Sequence, residues 1–290
     1  MGDTTMAMPA RSTGVFAMLA QNRAMLVPSG ALVLLVLAVV LGPFLFDLPD
    51  PERQTLAEAR LAPLSPGHLL GTDGLGRDVL SRALDGGRVS LLVGFSAVAI
   101  GFIVGGLLGV TAGFLGGKVD AVISRLTEIF SAFPSLILAL AIATFLGPSV
   151  RNIVLAICCH TVPAYVRLAR ANAIKIRNSD FVVAASLAGA NVRYTLRRHI
   201  VPLVLQSLLA YGLLATGTAI VIESSLSFLG LGVRPPQSTW GNMLADGKTE
   251  LGMASHVAFV PAILLFLTVL NLNLVGEGLR TRADRKVGAA

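Results

Sequence analysis

Cys158, Cys159 and His160 stand side by side, three side chains able to bind a metal. The spans below put them on a helix, where consecutive positions are about 100° apart, so the three cannot converge on one ion. No second ligand pair has metal-site spacing, and the cluster reads as packed small residues beside a hydrogen-bonded histidine. Gly241-Asn242-Met243-Leu244-Ala245-Asp246-Gly247-Lys248-Thr249 resembles a phosphate loop. However, five residues separate its glycines where the nucleotide motif has four, and no apolar strand precedes it. Gly-x-Ser-x-Gly, His-Glu-x-x-His and paired intramembrane carboxylates are all missing. Serines and histidines are scattered, so no hydrolytic constellation assembles and the chain carries no catalytic or cofactor site of its own.

The elements that hold these residues are membrane spans. The chain has 290 residues, of which 54% are hydrophobic and 13% charged. With a mean hydropathy of +0.76, that composition belongs to an all-α polytopic membrane protein. Stretches 25–46, 90–114, 129–148, 150–167, 200–222 and 255–276 are each long and apolar enough to cross the bilayer. The first is too long for a signal-peptide core and lacks a small-residue cleavage site, so it is read as a retained span. Residues 25–46, 90–114, 129–150, 152–166, 200–222 and 257–275 hold no Asp, Glu, Lys or Arg and only His160 titrates near neutral pH there, whereas ion-coupled carriers are built on acids and bases at membrane depth. A secondary carrier lacks its coupling residues here, and the driving energy must enter from outside the spans.

Charge predicts the orientation. With the N-terminus inside, Arg11, Arg23, Lys118, Arg125, Arg167, Arg170, Lys175, Arg177, Arg193, Arg197, Arg198, Arg280, Arg282, Arg285 and Lys286 are cytoplasmic, 15 of the 23 basic residues. Of the 16 acids, only Asp3, Asp120, Glu128, Asp180, Glu277 and Asp284 join them, which is the positive-inside pattern. A pI near 10.1 thus reflects topology and contact with lipid, and no nucleic-acid partner is implied.

The segments outside the spans are too short to be independent domains. Residues 1–24 form a cytoplasmic N-terminal segment, 25–280 a single membrane domain with a loop at about 168–199, and 281–290 a cytoplasmic tail. Gly101, Gly105, Gly109 and Gly113 recur every four residues and line up as a ridge without side chains. The ridge packs another helix of the same subunit or forms a subunit interface. Before the second span, Thr72 or Asp73 is expected to cap a helix with Leu75, Val79, Leu80, Ala83 and Leu84 on one side and Arg77, Asp78, Arg82 and Asp85 on the other. Such a helix would lie at the outer membrane surface.

Within the basic loop, Phe181 to Gly189 reads as a helix of about two turns made of small and apolar residues. Ser179 and Asp180 can cap its start, and Gly189 followed by Asn191 can end it in a left-handed turn. A helix this short is marginal in water and takes its order from a partner whose groove it fills.

From about His68 to Arg280 the chain resembles the permease subunits of peptide-importing ABC transporters, the dipeptide, oligopeptide and nickel class, in their C-type form. The resemblance rests on Leu70-Gly71-Thr72-Asp73-Gly74-Leu75-Gly76-Arg77-Asp78-Val79-Leu80-Ser81-Arg82, on Ala132-Phe133-Pro134-Ser135-Leu136 and on Tyr165-Val166-Arg167-Leu168-Ala169-Arg170. It continues through Ser225-Leu226-Ser227-Phe228-Leu229-Gly230-Leu231-Gly232, Pro235-Pro236 and Ser238-Thr239-Trp240-Gly241-Asn242-Met243-Leu244. It implies the type I importer fold, six transmembrane helices with a cytoplasmic coupling helix, in a bacterial or archaeal inner membrane with both termini cytoplasmic. The implied partners are a second homologous permease, two ATP-binding domains on separate or fused chains, and an extracytoplasmic substrate-binding protein. ATP and Mg would be bound by those partners and not by this chain.

The resemblance assigns the coupling role to Asp180, Val183, Ala184, Ala185 and Gly189, with Val183-Ala184-Ala185 standing where the family has Glu-Ala-Ala. A peptide pathway should be polar but weakly binding, which makes Gln206, Ser207, Thr216, Thr218, Asn271 and Asn273 candidates for its lining or for hydrogen bonds between helices. Glu223, at the outer end of the fifth span, is expected to meet a peptide amine or a partner arginine, or to be solvated. Peptide is the preferred cargo; a nickel chelate or another small solute stays open.

Overall fold

Lipid offers no partner to a backbone N–H, so each apolar run folds as a helix. The computed structural model describes residues 15–288, with side chains described except at 15–24, 186, 192, 193, 199 and 282–288. Asp3 and Arg11 therefore lie outside the described residues, as do the side chains of Arg23, Arg193, Arg282, Asp284, Arg285 and Lys286. The helices are α1 (Val15–Leu45), α2 (Val79–Ile100), α3 (Gly106–Leu115), α4 (Gly117–Ser131), α5 (Ser135–Leu146) and α6 (Val150–Arg177). They continue with α7 (Asp180–Leu187), α8 (Val192–Thr195), α9 (Val201–Phe228), α10 (Trp240–Glu250) and α11 (His256–Gly288). Among the described residues there is no strand, only the isolated bridges Ser65–His68 and Thr72–Asp78.

A π-helical turn at Gly101–Gly105 joins α2 to α3, so that Val79–Leu115 is one rod of 37 residues. The rod is long enough to cross the membrane and rise beyond it, at about 1.5 Å per residue. The charged segment before the second span is therefore not a separate surface helix. Asp78, rather than Thr72 or Asp73, caps its start by accepting from the Ser81 N–H at 2.7 Å. Arg77, Asp78 and Arg82 are buried.

The expected third span, 129–148, is broken. Pro134 has no N–H to donate and pushes Phe133 out of helical conformation, so α4 stops at Ser131 and α5 restarts at an angle of 85°. Five helices cross singly and this bent pair makes a sixth span. The fourth span also outruns its expected end at 167, continuing as α6 to Arg177.

The core lies along α6. The glycine ridge of α2 and α3 faces it so closely that a Cβ at Gly105 would sit 2.6 Å from the Val162 carbonyl, and one at Gly109 2.4 Å from that of Val166. Gly101 abuts Thr161 and Tyr165, and Gly113 abuts Arg170 and Ala173. The ridge is thus a contact within the chain, and it brings the backbones close enough to gain dispersion energy that lipid cannot match. The same Tyr165 also meets Tyr211 of α9 edge-on, the ring centroids 5.2 Å apart.

Candidate functional site

Three places on the bundle concentrate polar or exposed apolar groups. At one end, α7 projects beyond the core. Its Val182 is buried with Ile176 and Ile200, while Phe181, Val183 and Ala184 are exposed and Leu187 is 84% exposed. Gly189 takes φ +87, and the Ala190 N–H donates to the Ala185 carbonyl at 3.0 Å. That is the left-handed turn that satisfies the last carbonyls of a helix. Ser179 offers its carbonyl to the N–H groups of Val182 and Val183, and its hydroxyl donates back to Ile176. The result is a fixed short helix whose outward face is apolar.

The second place lies between α6, α9 and α11, nearer the α7 end. A cavity of about 450 Å³ is lined there by Ala164, Arg167, Leu168, Asn172, Ser207, Ala210, Tyr211 and Arg280. Arg167 also borders two cavities on its other side. One contains Ser131, Ser135 and His160, and the other contains Ser124, Glu128 and Arg170. Arg170 is held by Asp120, with Nη2 and Oδ2 at 2.7 Å, and Arg177 donates to the Phe114 carbonyl at 2.9 Å. Arg167 donates to the Ser131 hydroxyl and has no carboxylate in ion-pair range among the described residues.

The third is a cap at the opposite end, where α10 and residues 47–78 cover the rod. Asp73 pairs with both Arg77, Nε at 2.7 Å, and Arg82. Asp246 of α10 lies 3.1 Å from each of the same two guanidinium groups. Burial pushes the Asp73 carboxyl up. The backbone N–H of Arg77, the positive charges of Arg82 and Arg77, and the Leu75 N–H outweigh burial and hold the carboxyl below its ordinary value. Gly241-to-Thr249 is helical, and Thr239 caps it in a reciprocal box with Asn242. Its glycines serve packing: a Cβ at Gly241 would sit 2.4 Å from the Ser224 carbonyl and one at Gly247 2.6 Å from Ala258.

The polar candidates of the last two spans do not converge. Thr216 and Asn271 are buried and donate to carbonyls one turn back in their own helices, Gly212 at 2.8 Å and Leu267 at 2.7 Å. Gln206, Thr218 and Asn273 are exposed, and Ser207 alone enters the Arg167 cavity. Glu223 neither faces solvent nor awaits an amine. It is fully buried under the cap and accepts from Ser227 at 2.7 Å and Ser224 at 3.2 Å. Position at a span's end suggested exposure, but α10 packs over that end.

Residues 105–289 match the family described as binding-protein-dependent transport system inner membrane component. The chain is 37% identical over 261 residues to a glutathione transport system permease of Pectobacterium atrosepticum, covering 90% of this chain and 87% of that one. It is 40% identical over 258 residues to a probable D,D-dipeptide transport system permease of Escherichia coli, covering 89% and 86%. A di/tripeptide transport system permease of Pseudomonas aeruginosa is 44% identical over 219 residues, covering 76% and 72%. The chain belongs to this family.

The six-span, all-α architecture is that of a type I importer permease, a multi-pass membrane subunit of a transport system. Two features of this permease escaped a reading of sequence alone. The four-residue spacing of Asp73 and Arg77 carried a signal for the cap, because unlike charges so spaced can meet across a turn, yet nothing local pointed to Arg82, nine residues from Asp73, or to Asp246. Arg167 sits in a recognisable motif, but its lack of an acid partner emerges only once Asp120 is seen to be taken by Arg170.

Proposed function

We propose that the chain is one of two permeases in an ATP-driven importer of di- and oligopeptides. Its identity to permeases named for glutathione and for di/tripeptide transport, over as much as 90% of its length, carries the reading. In this reading a second homologous permease completes the pathway, an extracytoplasmic binding protein delivers the peptide, and two ATP-binding domains dock from the cytoplasm, one on α7 and one on the coupling helix of the second permease. The excess of basic residues at the α7 end supports that end, and both termini, as cytoplasmic. The exposed apolar face of α7 fits a groove on an ATPase, and Asp180, Val183, Ala184, Ala185 and Gly189 are its coupling positions.

ATP-driven closure of the ATPases would move α7 and the spans attached to it, turning the cavity from one side to the other. Shifting such an equilibrium from 1:99 to 99:1 takes about 5.5 kcal/mol of differential stabilisation, which only a rigidly held helix can transmit. The test is uptake of a radiolabelled tripeptide into vesicles. The permease co-reconstituted with its partner subunits and ATP should import it; the permease alone should neither import nor hydrolyse ATP. Uptake by the isolated chain on a proton or sodium gradient would overturn the reading.

A further inference from the structure

We propose that Arg167, with Arg280 across the same cavity, forms a carboxylate-binding step in the pathway, so that a peptide passes it with its C-terminal carboxylate held by a guanidinium. This rests on the peptide-import reading above. The cavity between α6, α9 and α11 presents Arg167, Asn172, Ser207, Tyr211 and Arg280, all hydrogen-bond donors, and no acid lines it. A peptide ammonium has no favourable place there, while a carboxylate meets a charged fork and neutral donors together.

Arg167 lies ten residues before the end of α6 at Arg177, about 15 Å along the helix. Its side chain is exposed and stands where the apolar run of α6 gives way to the basic stretch that ends at Arg177. The other two arginines on the same stretch of α6 are committed to Asp120 and to the Phe114 carbonyl, leaving Arg167 with one neutral hydroxyl. The neighbouring cavity that also touches Arg167 contains Glu128 and Arg170, so charge is offset there. The α9 side keeps a net positive lining. Its volume, about 450 Å³, lies among small-molecule sites, which span about 300–1,000 Å³.

Lipid phosphate shares this chemistry, and the experiment separates the two sources. The complete importer, with its binding protein saturating, is reconstituted in vesicles of varied phosphatidylglycerol content, and uptake of trialanine is compared with that of its C-terminal amide. Arg167→Gln should lower the acid-to-amide uptake ratio about tenfold, Arg280→Gln should lower it less, and Arg167→Lys should retain most of it. Co-purification of the subunits reports assembly for each variant. A ratio that survives in Arg167→Gln overturns the proposal alone, as does a parallel loss of acid and amide uptake. An effect that follows phosphatidylglycerol content and is equal for both peptides assigns the site to lipid and also overturns it. Wild-type vesicles that hydrolyse ATP yet import neither peptide refute the peptide reading itself, and this step with it.

Discussion

The indole N–H of Trp240 donates to the backbone carbonyl of Ala83 at 2.9 Å, tying the first turn of α10 to the rod of α2. The indole is fully buried, and it fits because Gly87 leaves a slot: a Cβ there would lie 2.7 Å from the ring and 3.0 Å from Val39. Trp240→Ala should destabilise the cap by about 3–5 kcal/mol, and Trp240→Phe, which loses the donor and part of the ring, by at least about 1 kcal/mol. Gly87→Ala should act in the same direction through overpacking. Thermal unfolding of the purified chain in detergent checks the order; a Trp240→Phe protein as stable as wild type would show that this hydrogen bond contributes nothing.

The glycine ridge sets a sharper contrast. At Gly109 an added methyl meets the backbone of α6 at 2.4 Å, and backbone cannot rotate away, whereas at Gly30 nothing lies within 4 Å. Gly109→Ala should cost about 1–3 kcal/mol and Gly105→Leu should abolish folded yield, while Gly30→Ala should be neutral. Yield after size exclusion gives the ranking. A neutral Gly109→Ala would mean that α3 and α6 sit farther apart than described.

What the sequence made legible and what it hid divide along a physical line. Apolar runs, the four-residue glycine spacing and the Gly189 stop are local signals, and the helices, the close rod contact and the left-handed turn are found where they point. The missed features depend on pairing between distant segments. The burial of Glu223 needs α10 folded over it, and Asp246 is 164 residues from the Arg82 it meets. The break at Pro134 was visible as a proline but not as a bend of 85°, because membrane helices often absorb proline with a modest kink.

Asp73 makes the cap sensitive to acid. Its carboxyl is held below its ordinary value, so the stability it contributes is fully present above that ordinary value and is lost as pH falls through the lowered one. The cap should therefore keep its unfolding temperature from neutral pH down to about 4, the ordinary aspartate range, and lose it in more acid solution. Asp73→Asn should be destabilised at neutral pH and should flatten the acid limb, since two buried guanidinium groups then share the Asp246 carboxylate alone. Unfolding midpoints against pH for both proteins test this; identical acid limbs would remove Asp73 as the cause.

The face of α7 makes the last prediction. Ala184 is exposed beside Val183 on a helix whose far side is pinned by buried Val182, so a substitution at 184 changes the outward surface and leaves the core contact in place. Ala184→Arg or Ala185→Arg should leave the membrane domain folded and abolish substrate-stimulated ATP hydrolysis by the reconstituted complex, because in the proposed docking a long charged side chain would be carried into the contact with the ATPase. Val183→Glu, which restores the family's acid, separates two kinds of groove. If the ATPase keeps a basic residue opposite, stimulation should equal or exceed wild type; if the groove is apolar, burying an unpaired carboxylate should weaken docking by several kcal/mol. Full stimulation by the Ala184→Arg and Ala185→Arg complexes would remove α7 from coupling.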